Sequence, residues 1–252
     1  MPVHKAVAAL AIPTIISQVV TMIYNLADTF FIGQIGDPTM VAAVSLVSPW
    51  FNLLTALSNL FGLGGSSLIS RMMGVQNHKD IKYVAAFSIW GGAIVTLVFS
   101  MATYLARIPL LNFLGASPDT YNYAEIYLLW VVVLGGVPTM MSLTLGHLLR
   151  SEGHAKQASA GMMFGGILNV VLIFILHMDV AGAALATALS NIASVVFFAI
   201  QYLRLKDKTA VSLHPRYFTF RFMRPIFSVG LASALATALG NASNMVMLRL
   251  AS

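Results

Sequence analysis

The sequence predicts an all-α integral membrane protein, because the chain is apolar, its apolar stretches are long, and none of them alternates like a barrel strand. Hydrophobic residues make up 58% of the 252 residues and charged residues only 9%, and the mean hydropathy is +0.85. About 20 apolar residues cross the hydrocarbon core as a helix. A lipid-exposed backbone must satisfy its own hydrogen bonds, so stretches without period-two patterning indicate helices.

Seven stretches are long enough to span a membrane, and the rest of the chain is short connections. The predicted spans are 6–32, 40–70, 83–106, 124–149, 158–176, 180–203 and 223–252. Pro13, Pro49 and Pro138 lie inside spans and are predicted to bend them. The first span is too long for a signal-peptide core and is followed by no small-residue cleavage site, so we expect it in the mature protein.

Basic residues are concentrated on one side of the predicted membrane. All of the 14 Lys and Arg residues except Arg107 and Arg249 lie before span one or in the connections after spans two, four and six. The positive-inside rule therefore predicts a cytoplasmic N-terminus. The net charge of +6 is explained by topology and the anionic leaflet, and no basic soluble domain suggests nucleic-acid binding.

The one sizeable hydrophilic connection, 206–222, mixes arginines with four aromatic residues between 217 and 222. This composition predicts a cytoplasmic or interfacial linker that contacts membrane lipid. A plain solvated loop is the alternative. The chain has no cysteine, which excludes disulfides, thiolate catalysis and cysteine metal sites.

Polar residues form a stripe along three of the spans. Span one carries Thr14, Gln18, Thr21, Asn25 and Asp28, at spacings of 4, 3, 4 and 3. Such a stripe lies on one helix face and is expected to line a polar interior, because amides and carboxylates are costly in hydrocarbon. Span two repeats the pattern with Ser48, Asn52, Thr55 and Asn59, and span six with Thr187, Asn191 and Ser194. The alternative for any single Ser or Thr is interhelical hydrogen bonding.

Asp28 is the strongest functional candidate, because an intramembrane carboxylate usually serves binding or ion coupling. No apolar span supplies a nearby Lys or Arg as a structural partner. Glycines elsewhere have a packing interpretation: Gly161 and Gly165 form a GxxxG, and Gly62, Gly64 and Gly65 cluster in span two.

An internal repeat links the two ends of the chain. A shift of 216 positions places Thr237, Asn241 and Asn244 over Thr21, Asn25 and Asp28. Six spans separate the two segments, so both helices run in the same direction, as in parallel transporter repeats. The sequence therefore predicts one six-helix repeat followed by the first helix of a second repeat that is truncated at Ser252.

The run at 25–36, Asn-Leu-Ala-Asp-Thr-Phe-Phe-Ile-Gly-Gln-Ile-Gly, together with 41–44 and the small residues of 62–70, resembles the start of a multidrug and toxic compound extrusion (MATE) transporter. The resemblance continues through 149–153, Asn169 and 180–187, and covers the whole chain. It implies an N-terminal six-helix lobe at 1–205, a linker at 206–222, and the truncated seventh helix at 223–252. The complete twelve-helix antiporter would lie in a bacterial inner membrane.

The resemblance also implies a function and a site. A MATE transporter uses Na+ or H+ to export amphipathic, often cationic, drugs, and needs no cofactor besides that coupling ion. The resemblance places the cation or proton site, and thus a candidate Na+ site, at Asp28, Asn169 and Thr187. Gln18, Thr21, Asn25, Asn52 and Asn191 are expected to line the polar cavity, and a C-terminal lobe is the expected partner.

One departure from the family pattern affects span five. Asn169-Val-Val-Leu172 passes directly to Ile173, about four residues short of the family pattern and without its second carboxylate. Deleting four residues rotates a helix by only about 40°, so the span is expected to survive better than the ion site. A lipid-linked flippase of the same superfamily and a non-transporting half-transporter remain alternatives. An enzyme is disfavoured, because no H-E-x-x-H, G-x-S-x-G or thiol is present.

Overall fold

The computed structural model describes residues 38–176, 180–205 and 209–251, together with positions 11, 12, 15, 16 and 19. This part of the chain is helical and contains no strand. The α-helices are α1 (Pro38–Gly74), α2 (His78–Ala86), α3 (Gly92–Leu105), α4 (Arg107–Phe113), α5 (Pro118–Leu128), α6 (Gly136–Ser151), α7 (Ala155–Leu176), α8 (Val180–Arg204) and α9 (Met223–Ala251). Two π-helical segments, Phe87–Gly91 and Leu129–Leu134, join α2 to α3 and precede α6.

The described residues confirm the all-α membrane class. Five helical stretches are long and apolar enough to cross a membrane, and the bent pair Pro118–Leu134 and Gly136–Ser151 makes a sixth. Of the first predicted span, Ile12, Ile15, Ile16 and Val19 are exposed. Their spacing places them on one face of a helix, as expected for side chains in contact with lipid.

Several spans begin earlier than hydropathy predicts. The third begins at His78 instead of residue 83, and the fourth at Pro118 instead of residue 124. The reason at Pro118 is local: Ser117 and Thr120 form a capping box, and Pro118 occupies the first helical turn, where its missing N–H is not needed. A capped start extends a helix through polar residues that a hydropathy window leaves out.

The fourth span bends by 48° between Leu134 and Gly136. Pro138 lies just beyond, and proline clashes with the carbonyl four residues before it, so the bend falls before the proline, as predicted. In the π-helical turn the Gly135 N–H donates to the Trp130 carbonyl over 2.9 Å. Pro49, in contrast, lies within the continuous helix α1.

Helix α9 crosses α1 with almost no side chain between the backbones. A Cβ at Gly230 would lie 2.0 Å from the Leu60 carbonyl oxygen, and a Cβ at Gly64 would lie 2.5 Å from that of Ile226. Beyond this crossing the Asn59 amide donates to the Thr237 hydroxyl over 3.1 Å. The first helix after the linker is therefore packed along the second predicted span.

The two ends of the bundle differ chemically. At one end Arg107 Nε lies 2.8 Å from Glu125 Oε1, and its guanidinium covers the Tyr104 ring at 4.8 Å. The hydrogen bond to Glu125 raises the pKa of Arg107 above its ordinary value. The opposite end carries the basic connections predicted to be cytoplasmic.

Candidate ion and substrate cavity

A cavity of about 370 Å³ lies between α1, α6, α7 and α8. Its wall is rich in hydroxyl and amide groups, among them those of Thr55, Asn59, Ser142, Asn169, Thr187 and Asn191. Each helix contributes residues spaced three or four apart, the period that puts side chains on one helix face. The cavity can therefore offer neutral donors and acceptors to a ligand from four directions.

Asn169 of α7 and Thr187 of α8 meet in this wall. The Asn169 Nδ2 donates to the Thr187 Oγ1 over 3.1 Å, and that hydroxyl donates to the Ala183 carbonyl over 3.0 Å. Asn169 is only 2% exposed, and among the described residues its Oδ1 has no hydrogen-bond donor. A buried amide oxygen without a donor is costly, so Asn169 Oδ1 is available as an acceptor for a ligand.

A second amide fixes the backbone beside this pair. The Asn191 Nδ2 donates to the Thr187 carbonyl over 3.0 Å and to the Thr139 hydroxyl of α6 over 3.1 Å. The Ser190 hydroxyl also donates to the Thr187 carbonyl, over 3.0 Å. Asn191 thus links the Thr187 carbonyl of its own helix, α8, to Thr139 of α6.

The GxxxG glycines let α7 and α8 approach closely enough for this contact. A Cβ at Gly165 would lie 2.1 Å from the Ser194 Oγ, and a Cβ at Gly161 would lie 2.3 Å from the Phe198 ring. Helix α7 is continuous from Ala155 to Leu176. It therefore runs through Leu172 and Ile173, where the sequence is about four residues shorter than the family pattern. The span has therefore kept the Asn169 position that the pattern predicted.

The predicted site residues fall into three groups. The structure brings Asn169, Thr187 and Asn191 together in the cavity wall. Asn52 is half-buried on α1, but within the described part of the chain it does not line this cavity. Four predicted residues of the first span lie outside the described residues: Gln18, Thr21, Asn25 and Asp28.

Two basic residues of α6 complete the cavity wall, and sequence reasoning missed them. His147 and Arg150 both line the cavity. Gly62 makes room for this ring, because a Cβ there would lie 2.9 Å from the His147 Cδ2. The Arg150 guanidinium contacts the Met162 sulfur at 2.9 Å. The spacing of 4 and 3 from Leu143 to His147 and Arg150 is the same helical-face signal as in the other spans.

The oxygen atoms of the described amides and hydroxyls suit a hard cation better than a transition metal. No group of three or more His, Cys, Asp or Glu side chains that could hold a metal ion occurs in the described residues. Amide and hydroxyl oxygens such as Asn169 Oδ1 and Thr187 Oγ1 are the ligands that hard cations prefer.

Comparison with known proteins gives the family. Residues 13–175 match the MatE family model. The chain is 33% identical over 249 residues to the multidrug export protein MepA of Staphylococcus saprophyticus subsp. saprophyticus, an alignment that covers 97% of this chain and 55% of that protein. It is 31% identical over 250 residues to MepA of Staphylococcus aureus, covering 98% and 55%. The chain therefore spans about half the length of the curated relatives it matches.

Solved structures give the same result for the fold. An outward-facing multidrug resistance MATE family transporter of the MOP superfamily superposes with a TM-score of 0.84 at 31% identity, covering 92% of this chain and 52% of that chain. A MATE structure in complex with MaD3S superposes with a TM-score of 0.85, covering 92% and 53%. The family match covers more than half of the chain, and the described helices have the fold of a MATE N-terminal lobe. The chain is a multi-pass membrane protein and belongs to the MatE family.

Proposed function

We propose that the complete gene product is a cation-coupled antiporter that exports amphipathic, often cationic, drugs. In this proposal residues 1–205 form the first six-helix lobe, 206–222 link the lobes, and 223–252 begin the second lobe. The membrane is the inner membrane of a bacterium, with the N-terminus in the cytoplasm. A second lobe supplies the opposing wall that alternating access requires.

The observation that carries the proposal is the buried Asn169–Thr187 pair with an amide oxygen left for a ligand. In the proposed cycle Na+, or a proton carried by Asp28, occupies the site and is exchanged for the drug. A carboxylate within a membrane span usually serves binding or ion coupling. The drug exporters that this chain resembles support the same assignment.

The test is drug efflux by the complete gene product in a drug-hypersensitive bacterium. Asn169→Ala removes the amide oxygen and is expected to weaken the dependence of ethidium efflux on the coupling ion by about 10-fold or more, since hydrogen bonds to charged groups are worth about 1.5–3 kcal/mol. Asn122→Ala, at an exposed position of α5, is the matched control and should export ethidium normally.

The coupling assignment has its own test in proteoliposomes. Ethidium export should follow either an imposed Na+ gradient or an imposed pH gradient, and Asp28→Asn should abolish that dependence. Export by Asp28→Asn at the unaltered rate under the same gradient would contradict the role of Asp28. Normal export by Asn169→Ala would contradict the role of the buried pair.

The second candidate function is translocation of an anionic lipid-linked substrate, as expected for a flippase of the same superfamily. It is favoured by Arg150 and His147 in the cavity wall, because guanidinium and imidazole groups can donate to phosphate oxygens. A fluorescent polyprenyl phosphate in the same proteoliposomes distinguishes the two functions. Arg150→Gln should slow its translocation if the flippase assignment holds, and ethidium export identifies the antiporter.

A further inference from the structure

The linker after α8 is attached to the bundle by a carboxylate that follows α6. Glu152 Oε1 accepts hydrogen bonds from the backbone N–H groups of Ala210 (2.9 Å) and Val211 (3.2 Å). Its Oε2 accepts a hydrogen bond from the Thr209 hydroxyl. Hydrogen bonds to a carboxylate are among the stronger ones in proteins, so one side chain fixes three consecutive residues of the linker.

A second polar contact holds the linker two residues further on. The indole N–H of Trp90, in the π-helical segment Phe87–Gly91, donates to the Leu213 carbonyl over 3.0 Å. Since the acceptor is a backbone carbonyl, this contact fixes the path of the linker and is independent of the side chain at 213.

Aromatic contacts hold the remainder of the linker. The Tyr217 ring packs edge-on against Tyr83 with centroids 5.5 Å apart, and the Lys82 ammonium lies 4.5 Å from the Tyr217 centroid. Phe218 stacks on Phe87 at 5.7 Å. The exposed Phe220 ring packs edge-on against Phe87 at 6.0 Å and Phe218 at 5.1 Å. Contacts at 209–211, 213 and 217–220 thus leave no long free stretch.

The linker ends where α9 is already packed. Phe222 is buried, Ile226 is fully buried, and Gly230 lies against the Leu60 carbonyl of α1. The chain is therefore held from residue 209 to the crossing of α1 and α9. A flexible linker between two lobes would need a long stretch without contacts to the bundle in this region. The described part of the linker has no such stretch.

We propose that residues 209–222 form a fixed strap that is locked to the basic end of the first lobe by Glu152 and Trp90 and moves with that lobe. In a transport cycle, which rests on the proposed function, the fixed strap determines where along the chain the second lobe can begin to move relative to the first. Motion of the following helices then takes place beyond the Gly64–Gly230 crossing, and the strap does not swing.

The test uses spin labels on the complete gene product. Residues 1–252 contain no cysteine, and any cysteine outside them is replaced by serine. Labels at the exposed positions Val75 and Arg216 report the distance between the bundle and the strap by pulsed electron paramagnetic resonance. A strap gives one narrow distance distribution that stays the same when NaCl and ethidium are added. A broad distribution, or a shift on adding them, would overturn the proposal.

Glu152 variants test whether the hydrogen bonds of this carboxylate keep the distance between the bundle and the strap fixed. Glu152→Ala should broaden the distribution at least twofold, whereas Glu152→Gln, which keeps an oxygen for the two backbone N–H groups, should keep it narrow. Glu125→Ala, the same change at the other end of the bundle, is the matched control and should also keep it narrow. A distribution that stays narrow in both Glu152→Ala and Trp90→Phe would refute the lock.

Trp90→Phe, which removes the indole donor and keeps a smaller aromatic ring, serves if Glu152→Ala does not fold. Because the distance measurement does not depend on transport, the strap and the proposed function can fail separately. A narrow, Glu152-dependent distance in a protein that exports no ethidium supports the strap and contradicts the antiporter.

Discussion

Two buried serines in neighbouring helices show how differently the same residue can be accommodated. Ser58 of α1 and Ser88 of the first π-helical segment are both fully buried. The Ser58 hydroxyl donates to the Leu54 carbonyl over 2.9 Å, whereas the Ser88 hydroxyl has no hydrogen-bond partner among the described residues. Ser88 also lies where Gly65 leaves space, since a Cβ there would be 2.1 Å from its Oγ. Burying a hydroxyl without a partner costs free energy.

Ser88→Ala should therefore raise the free energy of unfolding by about 1 kcal/mol, because it removes a desolvated hydroxyl and no hydrogen bond. Ser58→Ala, an equally buried replacement, should lower it by up to about 1 kcal/mol, because it removes a hydrogen-bonded hydroxyl. Unfolding of the purified protein in mixed micelles by a denaturing detergent measures both. A destabilised Ser88→Ala would reveal a partner for this hydroxyl.

At the site, single residues were predictable where a pattern singled them out. The family pattern indicated Asn169 and Thr187, and helical spacing indicated Asn191. His147 and Arg150 were not predicted, because a basic residue near the end of a span usually extends to water. Only the packing of α6 against α1, with Gly62 leaving room for the His147 ring, brings them to the cavity. The contact between the Asn169 amide and the Thr187 hydroxyl could not be derived from spacing within one helix.

At the scale of helices, Gly64 of α1 and Gly230 of α9 allow the backbones of these two helices to approach each other closely just after the linker. A Cβ at Gly230 would meet the backbone oxygen of Leu60, which cannot rotate away as a side chain can. Small residues at such crossings let helices pack in lipid, where no hydrophobic effect drives them together.

Gly230→Ala should lower the free energy of unfolding by about 1–3 kcal/mol, because α1 and α9 must move apart. Gly240→Ala on the same helix is the matched control: a Cβ there meets no atom of the described residues within 4 Å, so helix propensity should make it neutral or stabilising by up to about 1 kcal/mol. The same detergent unfolding assay compares them. Equal effects of the two changes would show that the crossing tolerates a methyl group.

The helices themselves were predictable in number and order but not in their irregularities. Hydropathy located every span within the described residues, because the need to cover about 30 Å of hydrocarbon dominates composition. The π-helical segments Phe87–Gly91 and Leu129–Leu134 and the short helix Arg107–Phe113 were not predicted. They depend on hydrogen-bond register and local packing, which leave little signal in the amino-acid sequence.

At the scale of the molecule, charge and packing divide the bundle into two different ends. The basic residues of the first turns of α2 lie at the same end as the linker, since Lys82 of α2 covers the Tyr217 ring. The α4 helix, on the far side of the span His78–Leu105, lies at the other end. The positive-inside rule predicts that the basic end faces the cytoplasm.

Single cysteines test this orientation directly, because residues 1–252 contain none. Val75→Cys lies at the basic end and Asn112→Cys at the α4 end, and both positions are exposed, so neither is protected by packing. In intact cells a membrane-impermeant maleimide should label Asn112→Cys, and it should label Val75→Cys only after the membrane is permeabilised. Equal labelling of both variants in permeabilised cells is the control for reactivity. Labelling of Val75→Cys alone in intact cells would invert the topology, and the strap would then lie on the outer face, where the anionic cytoplasmic leaflet could not attract its arginines.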